Sequence, residues 1–151
     1  MTSTPQLTLT SAAPSALREI RQLNASLDRL DALETDIRES SAEGEMNVAE
    51  RFERVHRAAL KVAGLAIERA NAQRKRKLPL NVWQALERMG GVHRVRAREA
   101  ARFVELRRTA GSYWESTEAI SERDVREHAE QTLAYLYEVK EELLGLEALA
   151  A

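Results

Sequence analysis

Apolar residues recur along nearly the whole chain at intervals of three and four, and almost nowhere at every second position. With only 3 Pro and 6 Gly in 151 residues to interrupt it, that period commits the chain to α-helices rather than sheet. From Pro14 to Ser40 the apolar positions are Leu17, Ile20, Leu23, Leu27, Leu30, Leu33 and Ile37. Five of them (Ile20, Leu23, Leu27, Leu30, Ile37) fit a heptad register that breaks at Glu34. The stripe therefore serves either one long helix lying on a bundle or a seam between two chains.

Four further helices follow from stop and start signals. Asn47, with Glu50 three residues on, has capping-box spacing and opens a helix with the inward stripe Val48, Phe52, Val55, Ala59, Val62, Ala63, Ala66 and Ala70. Arg51, Arg54, Arg57, Lys61 and Arg69 are expected to face outward from it, and its Ala residues and Gly64 to permit close helix packing. The run Arg74-Lys75-Arg76-Lys77 ends at Leu78-Pro79, a basic connector, because Pro79 biases Leu78 away from helical angles. Asn81 with Gln84 opens a short third helix that buries Val82, Ala85, Leu86 and Met89 and stops at Gly90-Gly91. A fourth, from about Val92 to Ala110, should bury Val95, Ala100, Phe103, Leu106 and Ala110, with Arg94, Arg98 and Arg102 as one solvent stripe. Residues Gly111 to Ala119 read as a loop anchored by Tyr113 and Trp114. Ser121 with Asp124 starts the last helix, through Val125, Ala129, Leu133, Leu136, Val139, Leu143 and Leu144. The expectation is an all-α, five-helix bundle over residues 14–146, with loose tails at 1–13 and 147–151.

Charge is segregated along this bundle. Residues 51–111 hold 16 Lys/Arg against 5 Asp/Glu, whereas residues 1–50 hold 4 against 9 and residues 112–151 hold 3 against 10. The basic middle invites either a polyanion or the chain's own acidic ends. On the first reading Arg74, Lys75, Arg76, Lys77, Arg94, Arg98 and Arg102 line a phosphate track; Trp83 fits a helix seam better than base stacking. Arg outnumbers Lys 19 to 4, as a GC-rich genome tends to encode, which discounts Arg richness as a functional signal.

Much chemistry has no residues to carry it. Three scattered His and no Cys supply no metal-ligand cluster, so neither a metal nor another cofactor is expected. Phosphate-cradling, dinucleotide and nucleophile-elbow motifs are missing. The first 13 residues have neither a basic start nor an export-length apolar stretch, and no segment runs 18 apolar residues, so a cytoplasmic protein without a membrane span is expected.

The stretch Val48-Ala49-Glu50-Arg51-Phe52-Glu53-Arg54-Val55-His56-Arg57-Ala58-Ala59-Leu60, the connector, Leu78-Pro79-Leu80-Asn81-Val82-Trp83-Gln84-Ala85-Leu86 and the closing amphipathic helix resemble one branch of the HEPN superfamily, typical of GC-rich Gram-positive bacteria. The likeness spans about residues 15–146, and Pro79-x-Asn81-Val82-Trp83 is its most specific part. It implies a small helical domain that dimerises and is either a metal-independent ribonuclease or a binding and regulatory module with an RNA or protein partner. The ribonucleases place an Arg and a His near the start of the last helix, as Arg123 and His128 stand here. In that role His128 would move the 2′-hydroxyl or leaving-group proton while Arg123 stabilised the phosphorane. Arg51 with His56 and Arg88 with His93 repeat the same spacing. Residues five apart lie about 140° apart around a helix and ~7.5 Å along it, so such a pair needs a second chain or a frayed helix start to meet at one phosphate. Three functions stay open: a nucleic-acid-linked binding module, a ribonuclease, and a structural adaptor for a protein partner.

Overall fold

The computed structural model describes residues 14–112 and 120–145. Five helices fill them: α1 (Pro14–Ser41), α2 (Val48–Ala72), α3 (Val82–Met89), α4 (Gly91–Ser112) and α5 (Glu122–Leu144); no strand occurs among the described residues. The chain is an all-α helical bundle. Gly111 and Ser112, expected to open a loop, belong to α4, and the rest of that segment, Tyr113 and Trp114 included, lies outside the described residues.

Local chemistry sets the helix starts. Asn47 and Asn81 accept from the backbone amides of Glu50 (2.9 Å) and Gln84 (3.0 Å), satisfying a first-turn donor in each helix. The reciprocal half of the box forms only at α5, where Asp124 Oδ2 accepts from the Ser121 amide at 2.9 Å. At α2 the Glu50 carboxylate instead takes the Asn47 side-chain amide. Gly90 and Gly91, with φ of 72° and 55°, make the α3–α4 corner at angles that a side chain would strain.

α2 is the central element, packed on α1, α3 and α5; α1 also lies on α5, and the α3–α4 hairpin closes the other side. Phe52, Val55, Ala59, Val62, Ala63 and Ala66 are buried as the stripe requires. Fully burying each Val or Phe stabilises by about 1.5–3 kcal/mol, which is why this face wins over the exposed one. α1 buries only the C-terminal part of its stripe, Leu30 and Ile37, while Ile20 is 38% exposed. The long helix thus lies on the bundle with its second half.

Three expectations fail on packing. Arg51 is not outward but 2% exposed, because it closes the end of α1. Its Nε and Nη2 donate to the Ser40 and Ser41 carbonyls (2.9 and 2.7 Å), and Nη1 donates to Glu122 at 2.6 and 2.8 Å. One side chain so satisfies orphan carbonyls at a helix C-terminus and fixes the first turn of α5. Val95 is 57% exposed, while His93, Arg96, Ala97, Ala100 and Phe103 form the buried face of α4. Val95 lies about 140° around the helix from the centre of that arc. Gly64 permits no close approach, since a Cβ there would meet nothing within 4 Å.

Candidate nucleic-acid interface and buried histidine pair

Within the basic middle the α4 stripe and the connector are unlike, while Arg54, Lys61, Arg69 and Arg88 are exposed along α2 and α3 with no ion pair among the described residues. Arg94 and Arg98 pair with Glu87 (3.4 and 3.0 Å), and Arg102 pairs with Asp124 and Glu127 on α5. The α4 stripe is thereby largely answered by the chain's own carboxylates, as are Arg57 and Arg107 by Glu53. The Arg102 guanidinium also lies over the Phe103 ring, 4.2 Å from its centre, a cation–π contact.

The connector differs. Arg74, Lys75, Arg76 and Lys77 are all exposed, and none forms an ion pair among the described residues. Its shape is set by backbone acceptors: Lys77 Nζ donates to the carbonyls of Asn71 and Arg74 (2.6 and 3.1 Å), and Arg74 Nε to that of Arg76 (3.2 Å). Asn71 Oδ1 accepts from the Leu78 amide at 2.8 Å, and Leu78 is buried, which ties the loop to the bundle. The result is a compact turn with four exposed basic residues, of which Arg74 and Lys77 fold back on its carbonyls.

Arg123 and His128 do not meet within the chain. Arg123 is on the surface, donating to Glu127 at 2.8 Å from a side chain 79% exposed. His128 is 0% exposed, stacked on Phe103 with ring centres 4.2 Å apart. Its Nε2 lies 3.1 Å from Nδ1 of His56, itself buried beside the half-buried Trp83. Access of a substrate proton to His128 requires the core to open.

The hydrogen bonds fix the tautomers. Thr132 Oγ1 donates to the His128 carbonyl at 2.7 Å, and accepts from Arg96 Nη2 at 2.9 Å. Its contact with His128 Nδ1, a long 3.5 Å, is then one it accepts. That assigns the His128 proton to Nδ1 and leaves Nε2 to accept from His56 Nδ1–H. Both rings are neutral for the same reason: removal from water, reinforced by Arg96 near His128 and Arg107 near His56, holds their pKa values at about 2 and about 4.

Sequence reasoning missed this cluster because His56 and His128 are 72 residues apart on different helices. It also missed Arg96, 1% exposed, whose burial lowers its pKa to about 10 and still leaves it a cation at neutral pH. The available signal was its spacing from Ala100 and Phe103 on one helical face. The third His, His93, donates from Nε2 to the Glu142 carboxylate, and its Nδ1 lies 2.8 Å from the Tyr135 hydroxyl, the same distance as the first bond. Among the described residues no group of three metal-ligating side chains occurs, and no helix is long and apolar enough to cross a membrane.

Comparison with family models, with curated proteins and with solved structures finds no match. The class is set by the fold alone, an all-α helical bundle.

Proposed function

We propose that the protein is a helical binding module, of the kind its HEPN resemblance implies, whose basic connector contacts the phosphates of a nucleic acid. The observation that supports this is the contrast within the basic middle: Arg94, Arg98 and Arg102 have carboxylate partners, whereas the exposed Arg74, Lys75, Arg76 and Lys77 form no ion pair among the described residues, Arg74 and Lys77 being bonded only to backbone carbonyls of the turn. Arg94, Arg98 and Arg102 are then structural, and the turn is the densest cluster of cations left without a carboxylate, since Arg54, Lys61, Arg69 and Arg88 are spread along α2 and α3. The ribonuclease reading gains no support from a His128 that is neutral, stacked and out of reach of solvent.

Fluorescence anisotropy of a labelled 20-nucleotide oligouridine tests the proposal. Wild type should bind at low salt, and Lys75→Glu with Arg76→Glu should bind at least tenfold more weakly. Arg98→Gln with Arg102→Gln should bind as wild type does. Equal binding by wild type and the connector variant, or no binding by wild type at 50 mM salt, overturns it.

A further inference from the structure

α4 and α5 leave a groove between them that the bundle does not fill. It encloses about 580 Å³ and is walled by Val92, Val95 and Arg96 on one side and Glu130, Gln131 and Ala134 on the other. Arg96 is the unusual member. It is 1% exposed and its Nη2 is bonded to Thr132, yet Nη1 is buried with no hydrogen-bond partner among the described residues. Gln131 Oε1 is likewise buried and without a partner. An unmade hydrogen bond of this kind costs about 1–3 kcal/mol per group, which favours a side-chain rotation that lets a ligand in the groove complete them.

Above these two groups the walls are apolar and the rim acidic. Val92 and Val95 are 37% and 57% exposed, two of the few large apolar side chains that are. Glu99 and Glu130 are exposed, and neither forms an ion pair among the described residues. A phosphate or a free acid would be repelled by that rim. A purely apolar ligand would leave Arg96 and Gln131 unsatisfied. A peptide backbone offers both kinds of partner, a carbonyl to accept from Arg96 Nη1 and an N–H to donate to Gln131 Oε1, once side-chain rotation brings those buried atoms to the groove surface.

We propose that the α4–α5 groove binds a basic, apolar-bearing peptide segment of a partner protein. Its backbone meets Arg96 and Gln131 as those side chains rotate toward the groove, an apolar side chain covers Val92 and Val95, and Lys or Arg side chains pair with Glu99 and Glu130. The site is distinct from the connector and does not depend on the nucleic-acid reading.

The test is anisotropy of a labelled peptide, acetyl-Leu-Lys-Lys-Leu-Arg-Lys-Leu-amide, on the full chain at 100 mM salt. Wild type should bind it, and should not bind the counterpart with Glu for every Lys and Arg. Glu99→Lys with Glu130→Lys, both surface changes, should weaken binding at least tenfold. Val95→Ser should also weaken it severalfold; survival of full affinity there reduces the effect to bulk charge and overturns the groove. Equal affinity in the charge-reversed variant, or no wild-type binding, overturns it too. Lys75→Glu with Arg76→Glu should leave peptide binding intact, and Glu99→Lys with Glu130→Lys should not weaken oligouridine binding, so the two sites fail independently.

Discussion

Acid should destabilise this protein well before its carboxylates titrate, and the reason is the histidine pair. In the unfolded chain His56 and His128 titrate near 6.5, whereas burial holds them at about 4 and about 2 in the fold. Between pH 6.5 and the folded values the unfolded state binds more protons, so stability is fully present above pH 6.5 and falls as pH drops below it. The limiting slope is ~1.4 kcal/mol per pH unit for each group. Integrated from pH 7 to pH 5, His128 alone removes about 2 kcal/mol, and His56 adds up to a similar amount. Glu53 and Asp124, held below the carboxylate range by Arg107 and, against the opposing effect of burial, by Ser121 and Arg102, act on the acid side of this window, as pH falls through their depressed values. Urea unfolding at pH 7.0, 6.0 and 5.0 reads the loss directly, and His128→Leu should roughly halve the dependence on pH whatever it does to stability at pH 7. Equal stability at pH 7 and pH 5, or an unchanged pH dependence in His128→Leu, refutes the buried neutral pair.

Three substitutions probe the packing separately. Arg51→Met removes the ties to Ser40, Ser41 and Glu122 and should cost about 3 kcal/mol in urea unfolding, since buried charge-assisted bonds are lost together; a loss under 1 kcal/mol contradicts its role as the clamp on α1. Gly64→Ala should stabilise by about 0.5–1 kcal/mol, because the site is helical and open to a Cβ. Destabilisation there would mean that α1 and α2 approach more closely than described. Gly90→Ala should destabilise by about 1 kcal/mol or more through its φ of 72°, and a neutral result would show that the corner relaxes freely.

What could be read in advance was whatever is local. Asn47, Asn81 and Ser121 were legible as caps because a cap and its amide are three residues apart, and the apolar stripe of α2 was legible because 3.6-residue periodicity needs no partner to be seen. The buried face of α4 was not, because hydrophobicity favoured Val95 over Arg96. The pairing of Phe103 with Phe52 and His128 decided the rotation instead, and carried Arg96 inward. Arg51 was misplaced for a related reason: its acceptors sit on α1 and α5, and only the assembled bundle brings them together. For the interface, counting charges located the basic middle. Sorting paired from unpaired cations required knowing that Asp124 and Glu127 face Arg102 across the α4–α5 contact.

The division of the basic middle into a paired stripe and an open turn is best tested by the salt dependence of oligouridine binding. For about four phosphate contacts on a single strand, affinity should fall roughly 50-fold from 50 to 200 mM salt. With Lys75 and Arg76 changed to Gln, the slope of log affinity against log salt should drop by about half, while changing Arg98 and Arg102 to Gln should leave it unchanged. A slope that falls with the α4 pair and holds without the connector pair would contradict the account.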